Sequence, residues 1–301
     1  MWGTMNPDVS VIIPVYNEAA VISSIIKRTI SVLEKMAISY EVIVINDGSD
    51  DDTERISREA GADVISHPYN MGNGAAVKTG IRNAKGKIIV LLDGDGQHAP
   101  EDIPRLVEKL PLYDMVVGAR TGNSAGSWHR NMANKFFNRF SSYMCGQKIE
   151  DLTSGFRAMK LEIARRFLYL LPNTFSYPTT ITLAFIHSGY SLTYMPIKAY
   201  RRTGKSKIRL FKDGPLFLVT IIKIATLFSP MRVFLPVSAM MFFVGVGYGL
   251  FKMFILGERY GPTAAMLLTM SVVVFMVGLV SEQVAQLKLN KTDYDNHDFR
   301  S

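Results

Sequence analysis

Residues 233–251 and 263–281 each run for 19 residues without a formal charge. As a helix, each spans about 28 Å, close to the hydrocarbon thickness of a bilayer. Only the short polar segment 256–262 separates them, so the pair reads as a transmembrane hairpin with both flanks on one side. Lys212, Lys223 and Arg232 precede it, Lys288 and Lys291 follow it, and the turn holds one cation, Arg259. This bias places the large N-terminal part and the tail in the cytosol, in a multi-pass protein of the inner (plasma) membrane. A buried helical hairpin of a soluble protein is the alternative. The expected organisation is a domain over 1–212, an interfacial amphipathic helix over 213–231, two transmembrane helices over 232–288 and a cytosolic tail over 289–301. The interfacial helix rests on Leu216, Phe217, Val219, Ile221, Ile222 and Leu227, with Lys212, Asp213 and Lys223 at its ends and on one face. Residues 1–10 show no basic segment leading into an apolar run, so no signal peptide is expected.

Charge is unevenly spread. Residues 120–212 carry 16 Lys+Arg against 3 Asp+Glu, a net of +13, whereas residues 1–119 have a net of −6. The middle of the chain is built to meet an anion: a phosphorylated small molecule, an acidic headgroup or a nucleic acid. Nucleic acid is disfavoured, because no recognised binding motif or aromatic spacing accompanies the basic residues. The single cysteine, Cys145, cannot form an internal disulfide, which fits a reducing compartment.

Apolar β-branched runs alternate with helical patterns. Strands are expected over 9–15, 40–46, 63–66, 88–92 and 115–118, and helices over 19–36, 50–60, 74–84 and 100–110. That is an α/β fold with a Rossmann-like, mostly parallel sheet, whose ligand lies beyond the carboxyl ends of the strands. Polar clusters stand at those ends: Tyr16-Asn17-Glu18, Asn46-Asp47-Gly48-Ser49, and Asp93-Gly94-Asp95-Gly96-Gln97-His98. Two aspartates at i and i+2 repel each other, and a hard cation between them removes that cost. The oxygen-only set Asp93, Asp95 and Gln97 suits Mg²⁺ or Mn²⁺ rather than zinc. The glycine-containing run Asn70–Gly74 does not fit G-x-G-x-x-G, because Val77 stands at the third small position. It reads as a turn opening a helix rather than a phosphate cradle.

These landmarks resemble glycosyltransferase family 2, inverting nucleotide-sugar transferases of GT-A fold. The likeness is carried by Pro14-Val15-Tyr16-Asn17-Glu18, by Asn46-Asp47-Gly48-Ser49 and by the Asp93–His98 run. Gly118-Ala119-Arg120, Asp151-Leu152-Thr153-Ser154-Gly155-Phe156-Arg157 and the stretch from Arg201 to Lys207 resemble its polyprenyl-phosphate branch. That branch includes dolichyl-phosphate mannosyltransferases and bacterial undecaprenyl-phosphate glucosyltransferases. The resemblance covers about residues 8–212 and implies an enzyme, a metal-dependent hexosyltransferase. It would move a hexose from a nucleotide sugar, UDP-linked rather than GDP-linked, to polyprenyl phosphate. A GDP-mannose-dependent polyprenyl-phosphate mannosyltransferase, and transfer to another lipid or to a polysaccharide, remain alternatives. The Gln-x-x-Arg-Trp motif of processive synthases is missing. The resemblance also implies that Pro14, Tyr16, Asn17, Glu18 and Asp47 hold the nucleotide, with Asp93 near the ribose or sugar. Asp95 and Gln97 would hold Mg²⁺ or Mn²⁺ on the diphosphate. Arg120, Arg130 and Arg201, supported by Ser154 and Lys207, would hold the acceptor phosphate. Some relatives carry an acid immediately before the Phe-Arg pair. Here that residue is Gly155, which leaves Asp151 as the acidic candidate for a base or a positioning group. Membrane lipid is a further expected partner, and a homo-oligomer is compatible with the sequence.

Overall fold

The computed structural model describes residues 6–120, 128–174, 176–200, 219, 221–257 and 259–297, the side chains of 128–134 and 288–297 excepted. The chain divides into two compact units, Met1–Ser142 with Gln147–Thr220, and Tyr143–Gly146 with Ile221–Ser301.

The first unit is built on a seven-stranded sheet. Its strands are β1 (Val9–Val15), β2 (Tyr40–Asn46), β3 (Asp63–Ser66), β4 (Ile88–Leu91), β5 (Met115–Arg120), β6 (Arg157–Lys160) and β7 (Leu192–Ile197), in the spatial order β3-β2-β1-β4-β6-β5-β7. All neighbours are parallel except β6, which runs antiparallel to both β4 and β5. Helices α1 (Ile22–Lys35), α2 (Thr53–Glu59), α3 (Asn73–Asn83), α4 (Ile103–Val107), α5 (Trp128–Cys145), α6 (Leu161–Arg166) and α7 (Tyr177–His187) complete the unit, the last turn of α5 excepted.

Every residue of β1 is buried, as a central strand covered on both faces requires. α1 buries Ile22, Ile25, Ile26, Val32 and Leu33 at helical spacing, and these join Val11, Ile13 and Val44 in one core. α7 is buried from Tyr177 through Phe185, which explains why it shows no amphipathic stripe. The Asn70–Gly74 run opens α3, as expected: Gly74 N–H donates to the Asn173 carbonyl at 2.9 Å. A Cβ on Gly74 would lie 2.0 Å from the Pro172 carbonyl oxygen, so glycine is needed for this close approach.

In the second unit, residues 221–228 form helix α8, followed by the apolar helix α9 (Met231–Ile255) and by α10 (Pro262–His297). Most of the expected interfacial helix, residues 213–218 and 220, lies outside the described residues. α9 and the first 26 residues of α10 are each long and apolar enough to cross a membrane, with mean hydropathies of 1.9 and 2.3. Phe243, Phe254 and Leu287 are 70%, 74% and 68% exposed, a surface suited to lipid rather than water.

The ends of the hairpin are tied by polar contacts. Glu282 Oε2 accepts a hydrogen bond from the Met231 N–H at the start of α9, at 3.2 Å, satisfying one of the donors a helix leaves at its N-terminus. Arg232 Nη1 donates to the carbonyls of Tyr143 and Met144, at 3.1 and 2.8 Å. This places a cation on the last carbonyls of α5.

Candidate active site

The loops after β1 and β2 are laced together. Asn17 sits at φ 55°, a conformation asparagine tolerates better than most residues. Its side-chain Oδ1 accepts from Asp50 N–H, its own N–H donates to Ser49 Oγ, and Glu18 N–H donates to Thr53 Oγ1, all at 2.9 Å. Pro14 is buried, Tyr16 and Glu18 are half-buried and Asn17 is exposed on this wall.

Asp47 is 3% exposed. One carboxylate oxygen accepts from Met71 N–H at 2.9 Å and lies 2.7 Å from His67 Nδ1, and the other accepts from Gly72 N–H at 2.9 Å. Asp47 therefore clamps the segment leading into α3. His67, whose Nε2 meets Thr79 Oγ1 at 2.9 Å, is a part of this clamp that the sequence did not signal.

The acidic loop lies beyond β4. Asp95 Oδ1 accepts the Gln97 N–H at 3.1 Å, and the Gln97 carbonyl accepts from Tyr200 N–H at 2.9 Å. The first bond closes a tight turn at Asp95–Gln97 and the second ties that turn to the segment after β7. His98 is buried and stacks on Phe156 with ring centroids 5.4 Å apart, and its Nε2 lies 3.7 Å from Asp93 Oδ2. Burial pushes the imidazole down to about 4 and Arg120 adds to the fall, against the pull of Asp95 and Asp151. It is therefore neutral at pH 7.

Gly155 faces Asp93. A Cβ built at this glycine would lie 2.3 Å from Asp93 Oδ2, so no larger residue fits while Asp93 holds its position. The glycine that reads in sequence as a missing acid is, in the fold, room for an existing one. Gly155→Ala is expected to displace Asp93 and to lower turnover at least ten-fold while far-UV circular dichroism stays unchanged. Parent-like turnover would show that the Asp93 position is not needed.

Arg120 and Asp151 form a bidentate pair. Arg120 Nε and Nη2 each lie 2.8 Å from one Asp151 oxygen, and Arg120 N–H donates at 3.2 Å. Their side chains are 22% and 10% exposed. Burial raises the Asp151 carboxyl, but the hydrogen bonds and charge of Arg120 outweigh it and hold the group below the usual carboxylate range. On Arg120, Asp151 outweighs the lowering by burial, and Asp93 and Asp95 add to the rise, so the guanidinium stands within the electrostatic reach of all three acids. Ser154 is fully buried, its carbonyl accepts from Arg157 Nη2, and its hydroxyl has no partner among the described residues. The structure thus brings Asp93, Asp151, Ser154 and Arg120 together around the strand ends. The side chain of Arg130, and Arg201 and Lys207 entirely, lie outside the described residues.

Among the described residues no group of three His, Cys, Asp or Glu side chains is placed to hold a metal ion. Asp95 and Gln97 supply oxygen donors only. One carboxylate and one amide suit Mg²⁺ or Mn²⁺, which keep several waters and share phosphate oxygens, and would not suffice for a structural zinc.

Residues 10–168 match the family described as glycosyl transferase family 2, and residues 229–287 match the GtrB C-terminal hairpin. The undecaprenyl-phosphate 4-deoxy-4-formamido-L-arabinose transferase of Edwardsiella ictaluri is 33% identical over 68% of this chain, and the match spans 64% of that protein. The transferase of the same name from Sodalis glossinidius is 27% identical over 93% of this chain and 89% of its own length. In fold, the first unit is GT-A-like. The glucosyl-3-phosphoglycerate synthase of Mycobacterium tuberculosis, crystallised with Mn²⁺, UDP and phosphoglyceric acid, superposes with a TM-score of 0.61 at 19% identity, over 73% of this chain and 78% of that one.

Proposed function

Because the chain belongs to glycosyl transferase family 2, we propose that it transfers a sugar from a nucleotide sugar to polyprenyl phosphate, with inversion, at the cytosolic face of the inner membrane. The observation that carries this reading is the Arg120–Asp151 pair set beside Asp93 and Asp95, on a chain that also bears the two-helix hairpin. The names of the relatives, which specify undecaprenyl phosphate and a sugar, support it.

In this account Pro14, Tyr16, Asn17 and Glu18 line the nucleotide, whereas Asp47, expected to hold it with them, has its carboxylate engaged by His67, Met71 and Gly72 and shapes the loop beside it. Asp93 faces the ribose or sugar. Asp95 and Gln97 hold Mg²⁺ or Mn²⁺, which when bound supplies positive charge against the diphosphate leaving group. A phosphomonoester has a second pKa of ~6, so the acceptor is ionised near neutrality and needs no strong base. Asp151 suits that requirement. Tied to Arg120 and held below the usual range, it is poorly matched to accept a proton at pH 7, and instead orients Arg120. The difficulty is repulsion between acceptor and donor phosphates, about 4 kcal/mol per unit-charge pair at 4 Å and an effective dielectric of 20. Arg120, Arg130 and Arg201, with Ser154 and Lys207, offset it. Arg120 spends Nε and Nη2 on Asp151 and Thr153 and would meet the phosphate through Nη1, while Arg130 and Arg201 would each offer a planar fork for two hydrogen bonds.

Membranes containing the protein, incubated with a panel of radiolabelled donors (UDP-glucose, GDP-mannose and UDP-4-deoxy-4-formamido-L-arabinose) and undecaprenyl phosphate, test the reading. Label in a lipid phosphate supports it, label in polymer favours a synthase, and no incorporation from any donor opposes it. Topology gives an independent check. A reporter fused after Ser301 is expected to respond as cytosolic, and one inserted in the 256–262 turn as external. A periplasmic response from the C-terminal fusion would refute the orientation.

A further inference from the structure

Arg157 is 0% exposed, yet no ion pair with a carboxylate holds it among the described residues. Its Nη1 donates to the Pro178 carbonyl at 3.1 Å and to Thr182 Oγ1 at 3.0 Å, and its Nη2 to the Ser154 carbonyl. Arginine stays protonated in proteins, so this is a buried positive charge served only by neutral acceptors. Such a charge is costly, and a well-packed apolar residue in its place is often as stable or more so. Stability alone does not explain it.

Its place in the sheet does. In β6, Arg157 is in register with Leu91 of β4 on one side and with Val117 of β5 on the other. β4 ends at Leu91, so the loop that carries Asp93 leaves the sheet two residues beyond the position paired with Arg157. Gly155 precedes Arg157 by two residues and is where the Asp93 carboxylate rests. Burial lowers the Arg157 guanidinium from its ordinary value, and the carboxylates of Asp151 and Asp93 pull against that fall.

We propose that Arg157 is a positioning residue, a positive charge laid beneath the strand ends that offsets the acidic loop, so that the site takes a divalent cation together with a diphosphate rather than the cation alone. The diphosphate half rests on the function proposed above. The electrostatic half does not. Replacing Arg157 by a neutral residue takes one positive charge from beside Asp93 and Asp151. A cation alone should then bind more tightly, whereas a residue that merely supports the fold would, when replaced, loosen the cation site.

The test is Mn²⁺ titration of the full-length, detergent-solubilised protein, read from the electron paramagnetic resonance of free Mn²⁺. Arg157→Met is expected to bind Mn²⁺ about ten-fold more tightly than the parent, from the Coulomb effect of removing one nearby charge. Arg157→Gln, a second neutral variant, should behave alike, and Arg157→Lys should bind as the parent does. Near-UV circular dichroism reports whether each variant is folded. Folded neutral variants that bind Mn²⁺ no more tightly than the parent would overturn the inference. So would failure of both neutral variants to fold while Arg157→Lys folds, because the charge would then serve folding. Absence of Mn²⁺ binding throughout would also overturn it. Tighter Mn²⁺ binding with no transfer to lipid phosphate would leave this inference standing and remove the acceptor assignment instead.

Discussion

Asp95→Asn is expected to leave the protein folded and to reduce sugar transfer by about 10²–10³-fold, the loss typical of removing one electrostatic contact to a developing charge. The substitution isolates charge from geometry. Asp95 Oδ1 accepts the Gln97 N–H, and an asparagine oxygen can keep that bond, so the turn survives while the negative charge is lost. The parent should lose activity in excess EDTA and regain it with Mg²⁺ or Mn²⁺. The comparison to make is turnover against added metal for parent and variant, with circular dichroism as the control. Parent activity that persists in excess EDTA, or an asparagine variant that turns over at the parent rate, would remove the metal from the account.

Arg120→Ala has two expected effects. It strips a partly buried carboxylate of its partner, and breaking such a pair costs about 3 kcal/mol or more of stability. It also removes a guanidinium that would hold the acceptor phosphate. Adding Asp151→Asn separates the two effects, because the orphaned charge goes with it. The double variant should recover most of the lost stability, measured by urea unfolding, and still fail to transfer sugar to lipid. Hydrolysis of the donor by water, which needs no phosphate clamp, should fall much less than lipid transfer in both variants. Arg120→Lys should recover only part of the transfer, since a single ammonium cannot hold Asp151 bidentately and reach the phosphate as well. A double variant that transfers to lipid at the parent rate would make Arg120 a structural anchor and no more.

The parallel strands β1 to β5 were legible as short apolar runs between helical patterns, and β1, β2 and β4 also lead into polar clusters. The hairpin was legible because nothing charged interrupts it. The acidic loop announced itself through the like charges of Asp93 and Asp95. The later part of the sheet did not show. β6 is four residues long, Arg-Ala-Met-Lys, too short and too charged at its ends to read as a strand. Only the register with β4 and β5 makes it a central strand. α7 lacked a signal for the opposite reason, being buried on all sides. At the site, Asp47 was recognisable as a strand-end carboxylate, but its bonds to Met71 and Gly72 depend on a segment more than twenty residues away. Gly155 carried no side-chain chemistry to read, and its meaning appears only once the Asp93 carboxylate is seen against it.

In the proposed reaction the nucleophile is a phosphate on a lipid. Purified full-length protein in proteoliposomes, given a labelled donor from the panel, should be offered undecaprenyl phosphate in one reaction and undecaprenol in the other. Labelled lipid is expected only where the phosphate is present, because Asp151 is committed to Arg120 and the proposed acceptor clamp is cationic. Transfer to undecaprenol at a comparable rate would contradict it and would point to a neutral alcohol acceptor activated by a base.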